Sequence, residues 1–211
     1  MHIIVVKART LIIAALILLI IPALFFAPRA VPAFSPKEDR AAVTDKADTG
    51  LKKIALTFDC RDTDEGINRI LNTLSEQKGT AAFFVNAELA RDFPKTVKAI
   101  FDAGHIVAAL CDSAADLAKT DAAISNACGA VPLYVRSGES VPASDRVLIG
   151  SSRDVTGLKT ETAVLKRLVD TAPGDIIKMS SDSELTGELL TKIMKGLGKT
   201  YEFVSLDELF S

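Results

Sequence analysis

The sequence predicts an α/β domain whose strands, about seven in number, form an incomplete or irregular barrel with helices outside it. Two observations lead there. Short apolar and β-branched runs alternate with segments of helical period every few tens of residues, as parallel strands joined by helical crossovers require. The strands are also more numerous than a compact doubly wound sheet needs.

Lys53 to Phe58 is a short apolar run and opens the domain as a strand. Asp64 to Lys78 then sets Ile67, Ile70, Leu71 and Leu74 at helical spacing, and Gly79 is expected to close that helix through its tolerance of left-handed backbone. Ala81 to Val85 is the second strand, and Val97, Ile100 and Phe101 give the next helix an apolar face. His105 to Ala109 follows as a strand and Ala114 to Asn126 as a helix. Leu133 to Val135 and Arg146 to Ile149 are two further strands, with a helix from Thr160 to Val169 after them. PGDIIKM supplies the sixth strand and Leu185 to Met194 a helix. Tyr201 to Val204 is the last strand before Leu206 to Phe210.

Ahead of the domain, LIIAALILLIIPALFFA from Leu11 to Ala27 carries no charge, and Lys7 and Arg9 stand just before it. Roughly 17 apolar residues reach the short end of a bilayer span and exceed the core of a cleavable signal. A signal anchor over residues 1–27 is expected, its basic flank held in the cytoplasm and the remainder exported. A removable signal peptide, cut near Ala30, sends the domain to the same side of the membrane. Residues 28–50 are rich in Pro, Ala, Lys, Asp and Glu without apolar periodicity and read as a flexible tether, which leaves 51–211 as the domain. A net charge of −2 gives no electrostatic reason to expect nucleic acid as a partner.

In a barrel of this kind functional residues lie where strands end and loops begin. That edge holds Asp59, Cys60, Arg61, Asp62, Cys111, Asp112, Arg136, Glu139, Arg153, Asp154, Ser180, Ser181 and Asp182. Acids, arginines and hydroxyls together bind sugars or small polar groups, and a merely solvated rim has the same composition. Of the two histidines, His2 precedes the apolar segment and His105 starts a strand, facing away from the edge in a packing or capping role. No Ser-His-Asp or Cys-His relay can be assembled, and a two-histidine metal site cannot be built from one chain. Cys60, Cys111 and Cys128 are too few and too irregularly spaced for a disulfide scaffold. Cys60 and Cys111 end the first and third strands, either as a bridging pair or as unrelated thiols.

The succession IALTFD, TAAFFVNAELARDFPKTVKAIFDAGHIVAALCDSAADL, PLYVRSGES, GDIIKMSSD and YEFVSLDEL resembles the NodB-homology polysaccharide deacetylases, the family 4 carbohydrate esterases, across roughly residues 51–211. The resemblance implies an irregular seven-stranded barrel and removal of N-acetyl groups from peptidoglycan, chitin or related amino-sugar polymers outside the membrane. It implies Asp59 as the vestige of the catalytic base, with Cys60 where the family has a metal-binding aspartate. Leu110 and Ala114 stand where two metal-binding histidines are expected. Arg136 keeps the arginine of the third motif, Glu139 takes its tyrosine place, Asp154 and Val155 fall at the Asp-Trp pair, and Ser180 replaces the histidine that acts as general acid.

The losses fall on the metal and the acid. A positioned acid contributes about 10²–10⁴ in rate, and a Lewis acid several kcal/mol more. The resemblance therefore implies a degenerate, non-catalytic member, with no cofactor, that binds peptidoglycan or a related glycan, or an envelope protein. Asp62, Asp112, Glu139 and Asp182 are its candidate binding residues, and spore-envelope assembly is one setting implied by anchored relatives. The alternative is an active deacetylase with zinc in a rearranged site of Cys60, Cys111 and Asp112.

Overall fold

The computed structural model describes residues 42–139, 141, 145–182 and 184–211, apart from the side chains of 184–188. The expected anchor and most of the expected tether lie outside them. Among the described residues no helix is long and apolar enough to cross a membrane.

The chain alternates strands and helices in the order β1 (Lys53–Cys60), α1 (Glu65–Gln77), β2 (Ala82–Val85), α2 (Ala87–Asp92), α3 (Pro94–Asp102), β3 (Ile106–Cys111), α4 (Ala114–Cys128) and β4 (Tyr134–Ser137). β5 (Val147–Leu148), β6 (Arg153–Asp154), α5 (Glu161–Leu168), β7 (Ile176–Ser180), α6 (Glu184–Leu197), β8 (Glu202–Phe203) and α7 (Leu206–Leu209) complete it. Every strand pairing is parallel, in the order β5-β4-β3-β2-β1-β7-β6, with β8 beside the first residues of β1. The seven strands in that path form a curled half-barrel, as expected. Among the described residues there are eight strands rather than about seven, because Arg153–Asp154, not expected as a strand, pairs with Ile177 and Lys178.

Strand periodicity divides the interior in two. On β1, Ile54, Leu56, Phe58 and Cys60 point outward into the layer between sheet and helices, where they meet Ile67, Ile70 and Leu74 of α1. The Phe58 and Phe83 rings lie 5.3 Å apart there. Each such buried side chain contributes about 1.5–3 kcal/mol. The alternate residues face the barrel interior, where Ala55, Ala82, Phe84, Ala108, Leu110, Tyr134 and Ile176 form a second cluster. Leu206 and Leu209 of α7 close its lower end, and Tyr134 donates to Asp207 at 2.6 Å.

Helix termini differ from expectation in one instructive place. Lys78, not Gly79, takes the left-handed conformation after α1, with φ 53°. Gly79 is needed for space instead, since a Cβ there runs into Met194 Cε. Phe101, expected on the apolar face of α3, is exposed, while Val97 and Ile100 are buried. His105 packs its ring 5.5 Å from that of Phe83 and is buried, and its Nδ1 has no hydrogen-bond partner among the described residues.

The last residues of the expected tether pack on the sheet. Thr44 bridges Ile149 in parallel and Lys46 bridges Asp175 in antiparallel fashion, so residues 44–46 tie the β5 side of the sheet to the turn before β7. Thr44 N donates to Leu148 O at 2.8 Å, and Ala47 N to Gly174 O at 2.9 Å. Asp175, almost wholly buried, receives Lys46 Nζ at 3.1 Å and Arg153 Nε at 3.0 Å. Gly174 has φ 82°, and a Cβ there strikes the Ala47 carbonyl oxygen.

Candidate functional site

β1 delivers Thr57 and Asp59 to the barrel interior because they alternate with the outward Leu56, Phe58 and Cys60. Register then places their neighbours. Ser180 on β7 stands directly opposite Asp59, Lys178 opposite both Thr57 and Asp154, and Leu110 on β3 opposite Arg136 on β4. Four side chains named from the sequence, Asp59, Arg136, Asp154 and Ser180, thus share one pit at the C-terminal edge.

Arg136 organises it. Its side chain is 8% exposed, and its guanidinium lies 4.0 Å from the centroid of the Phe84 ring. Nη1 donates to Asp59 Oδ1, Nη2 to Thr57 Oγ1 at 3.1 Å and to Gly150 O at 2.9 Å, and Nε to Ile149 O at 3.2 Å. The fork geometry of a guanidinium suits this set, which a lysine cannot satisfy.

Lys178 was not singled out from the sequence, yet it completes the network. Its ammonium lies 3.6 Å from Asp59 Oδ2 and 3.2 Å from Asp154 Oδ2. Both oxygens of Asp59 therefore face a cation. Burial pushes the Asp154 carboxyl upward, but the Thr156 hydroxyl and amide and the Lys178 ammonium outweigh it and hold Asp154 below the usual carboxylate range. The signal was present in IIKMS: the period of 2 that turns Ser180 inward also turns Lys178 inward.

Ser180 Oγ lies 3.5 Å from Asp182 Oδ2 and accepts from Asp182 N at 3.2 Å, in a turn that leaves Asp182 exposed. Glu139 is exposed beyond β4. Asp62 and Asp112 sit apart from the pit, on an open pocket of about 490 Å³ lined also by Arg61, Asn86, Glu88 and Lys119. Arg61 pairs with Asp112 at 3.0 Å across its rim. Asn86 caps α2 by accepting from Leu89 N at 2.9 Å. A smaller pocket of about 190 Å³ opens beside Arg136 and Lys178, with Val43 and Gly150 in its wall.

The thiols do not join this site. β2 lies between β1 and β3, so Cys60 and Cys111 are at least two strand spacings apart, about 10 Å, beyond bridging range. All three cysteines are free. Cys60 and Cys111 both belong to the outer core, and burial pushes both thiols up, away from the thiolate that binds metal. The expected zinc alternative, Cys60, Cys111 and Asp112, is therefore not brought together: Asp112 faces solvent and the thiols face the helices. Leu110 packs in the inner cluster and Ala114 begins α4, where the resemblance sets imidazoles. Among the described residues no three His, Cys, Asp or Glu side chains converge as a metal site. The residues present do not fit the family's metal.

Comparison with known proteins agrees with the fold. The polysaccharide deacetylase family profile matches residues 46–121, and no curated protein matches the sequence. The pseudoenzyme BA3943 of family CE4 from Bacillus anthracis is 19% identical, with a TM-score of 0.72 over 81% of this chain and 69% of its own. The Bc1960 peptidoglycan N-acetylglucosamine deacetylase is 23% identical, with a TM-score of 0.70 over 79% of this chain and 91% of its own. The peptidoglycan deacetylase PdaC from Bacillus subtilis is 21% identical, with a TM-score of 0.67 over 76% and 90%. Likeness at these identities establishes the fold alone. Residues 46–121 thus match the polysaccharide deacetylase family profile, within a domain that has the fold of the family 4 carbohydrate esterases.

Proposed function

We propose that this protein is a non-catalytic, deacetylase-like module that holds an amino-sugar glycan of the peptidoglycan type on the outer side of the membrane, with residues 11–27 as its anchor. One observation carries the non-catalytic part: the carboxylate in the base position, Asp59, is held between Arg136 and Lys178, with a serine and not an imidazole opposite it. Each oxygen of Asp59 faces a cation, and Ser180 supplies no acid near neutral pH. The open, polar pocket that Asp62 and Asp112 line supports glycan as the ligand, because Asp62, Asn86, Glu88 and Asp112 offer the acceptors and Arg61 and Lys119 the donors that sugar hydroxyls pair with. Deacetylases with this fold, Bc1960 and PdaC, carry peptidoglycan in their names, which favours the same ligand class here.

Calorimetric titration of the purified chain with N-acetylglucosamine oligomers and with peptidoglycan fragments tests the reading. Binding that weakens at least tenfold in the Asp62→Ala, Asp112→Ala double variant, without acetate release, is expected. Absence of binding to either glycan overturns it.

A further inference from the structure

The pit raises a question that the loss of metal ligands does not answer: two carboxylates remain, and something balances them. Asp59 and Asp154 come from β1 and β6, strands separated in the sheet by β7, and both reach the same ammonium from that intervening strand. Lys178 is placed for this by register, opposite Thr57 on one side and Asp154 on the other. Arg136 adds a second cation, so two acids meet two bases and the pit is neutral as built.

We infer that the Lys178 ammonium is the resident cation of this pit, the counter-charge that Asp59 and Asp154 share, and that it keeps a divalent ion from binding those two carboxylates. The disagreement between this chain and its fold family is thus more than a deletion of ligands. A divalent ion bound to either carboxylate would lie within a few ångströms of a fixed positive charge and would take oxygens already paired to it. The inference goes beyond the proposed function and stands whether or not the pocket holds a glycan.

Manganese(II) is the probe, because its affinity for carboxylate oxygen matches the groups that remain. The full-length chain is titrated with Mn²⁺ while the free-ion paramagnetic resonance signal is followed. Wild type is expected to leave the signal unchanged. Lys178→Met is expected to bind Mn²⁺ at least tenfold more tightly than wild type, and adding Asp59→Asn to it is expected to remove that binding. One Mn²⁺ bound by wild type and lost in Asp59→Asn overturns the inference, as does a folded Lys178→Met that binds no better than wild type. Should Lys178→Met not fold, Lys178→Arg decides: a folded variant that binds no Mn²⁺ supports a required fixed cation, and an unfolded or Mn²⁺-binding one overturns it.

Discussion

Replacing Arg136 by Met tests how the pit is held together. The substitution keeps an apolar stem over Phe84 but removes the partner of Asp59 and the donors to the Ile149 and Gly150 carbonyls. Breaking a buried ion pair from one side costs about 3–5 kcal/mol, and each orphaned carbonyl about 1 kcal/mol. Asp59 is 16% exposed and keeps Lys178, which recovers part of that loss. A net destabilisation of about 4 kcal/mol follows, equivalent to about 8–16 °C in Tm for a domain of this size. Asp59→Asn is expected to cost about 2–3 kcal/mol, because it leaves two cations without their shared acid. Urea unfolding of the two single variants and the double variant forms a cycle in which the double falls short of additivity by about 1.5–3 kcal/mol. Additivity within about 0.5 kcal/mol would refute the claim that these groups form one unit.

Three further outcomes are expected. Gly174→Ala is expected to lower stability by about 1–3 kcal/mol in thermal unfolding, since φ 82° is strained for alanine and its Cβ meets the Ala47 carbonyl; an unchanged Tm contradicts the docked 44–47 segment. Burial holds His105 neutral, below its ordinary value of 6.5, so the unfolded chain takes up a proton first as pH falls. Its contribution to stability is full above about pH 6.5 and declines below it, and His105→Phe is expected to flatten the urea midpoint between about pH 6.5 and 5. Alkylation under native conditions is expected to label Cys128 alone, with Cys60 and Cys111 reacting only after denaturation; rapid native labelling of Cys60 contradicts its place in the outer core.

The fold was legible because each βα unit carries its own local signature. KIALTF ends where the interior begins, and Ile67, Ile70 and Leu74 declare the face of α1. β6 escaped notice because two residues, Arg153 and Asp154, carry no period. The docking of 44–47 escaped for a similar reason: it pairs mostly through backbone groups, which leave little trace in side-chain pattern. α2 has a readable start in Asn86, whose side chain caps it.

The site divides along the same line. Asp59, Arg136, Asp154 and Ser180 were legible from motif order, and the strand ends that carry them do meet. The Cys60–Cys111 pairing was open to the sequence because strand order was not: with β2 between them, two adjacent-looking strand ends are far apart. Asp62 and Asp112 proved to line a pocket separate from the pit, joined through Arg61 rather than through the catalytic position. Lys178 needed both the period of β7 and the register of its two neighbours before its partners could be named.

The most direct test of the account is acetate release from peptidoglycan fragments and N-acetylglucosamine oligomers by the full-length chain, with and without added zinc, beside Asp59→Asn. No release above the buffer rate in either condition, and no difference between wild type and variant, is the expected result. Turnover by wild type that disappears in Asp59→Asn would contradict it, and would mean that Asp59 leaves Arg136 and Lys178 to act as a base.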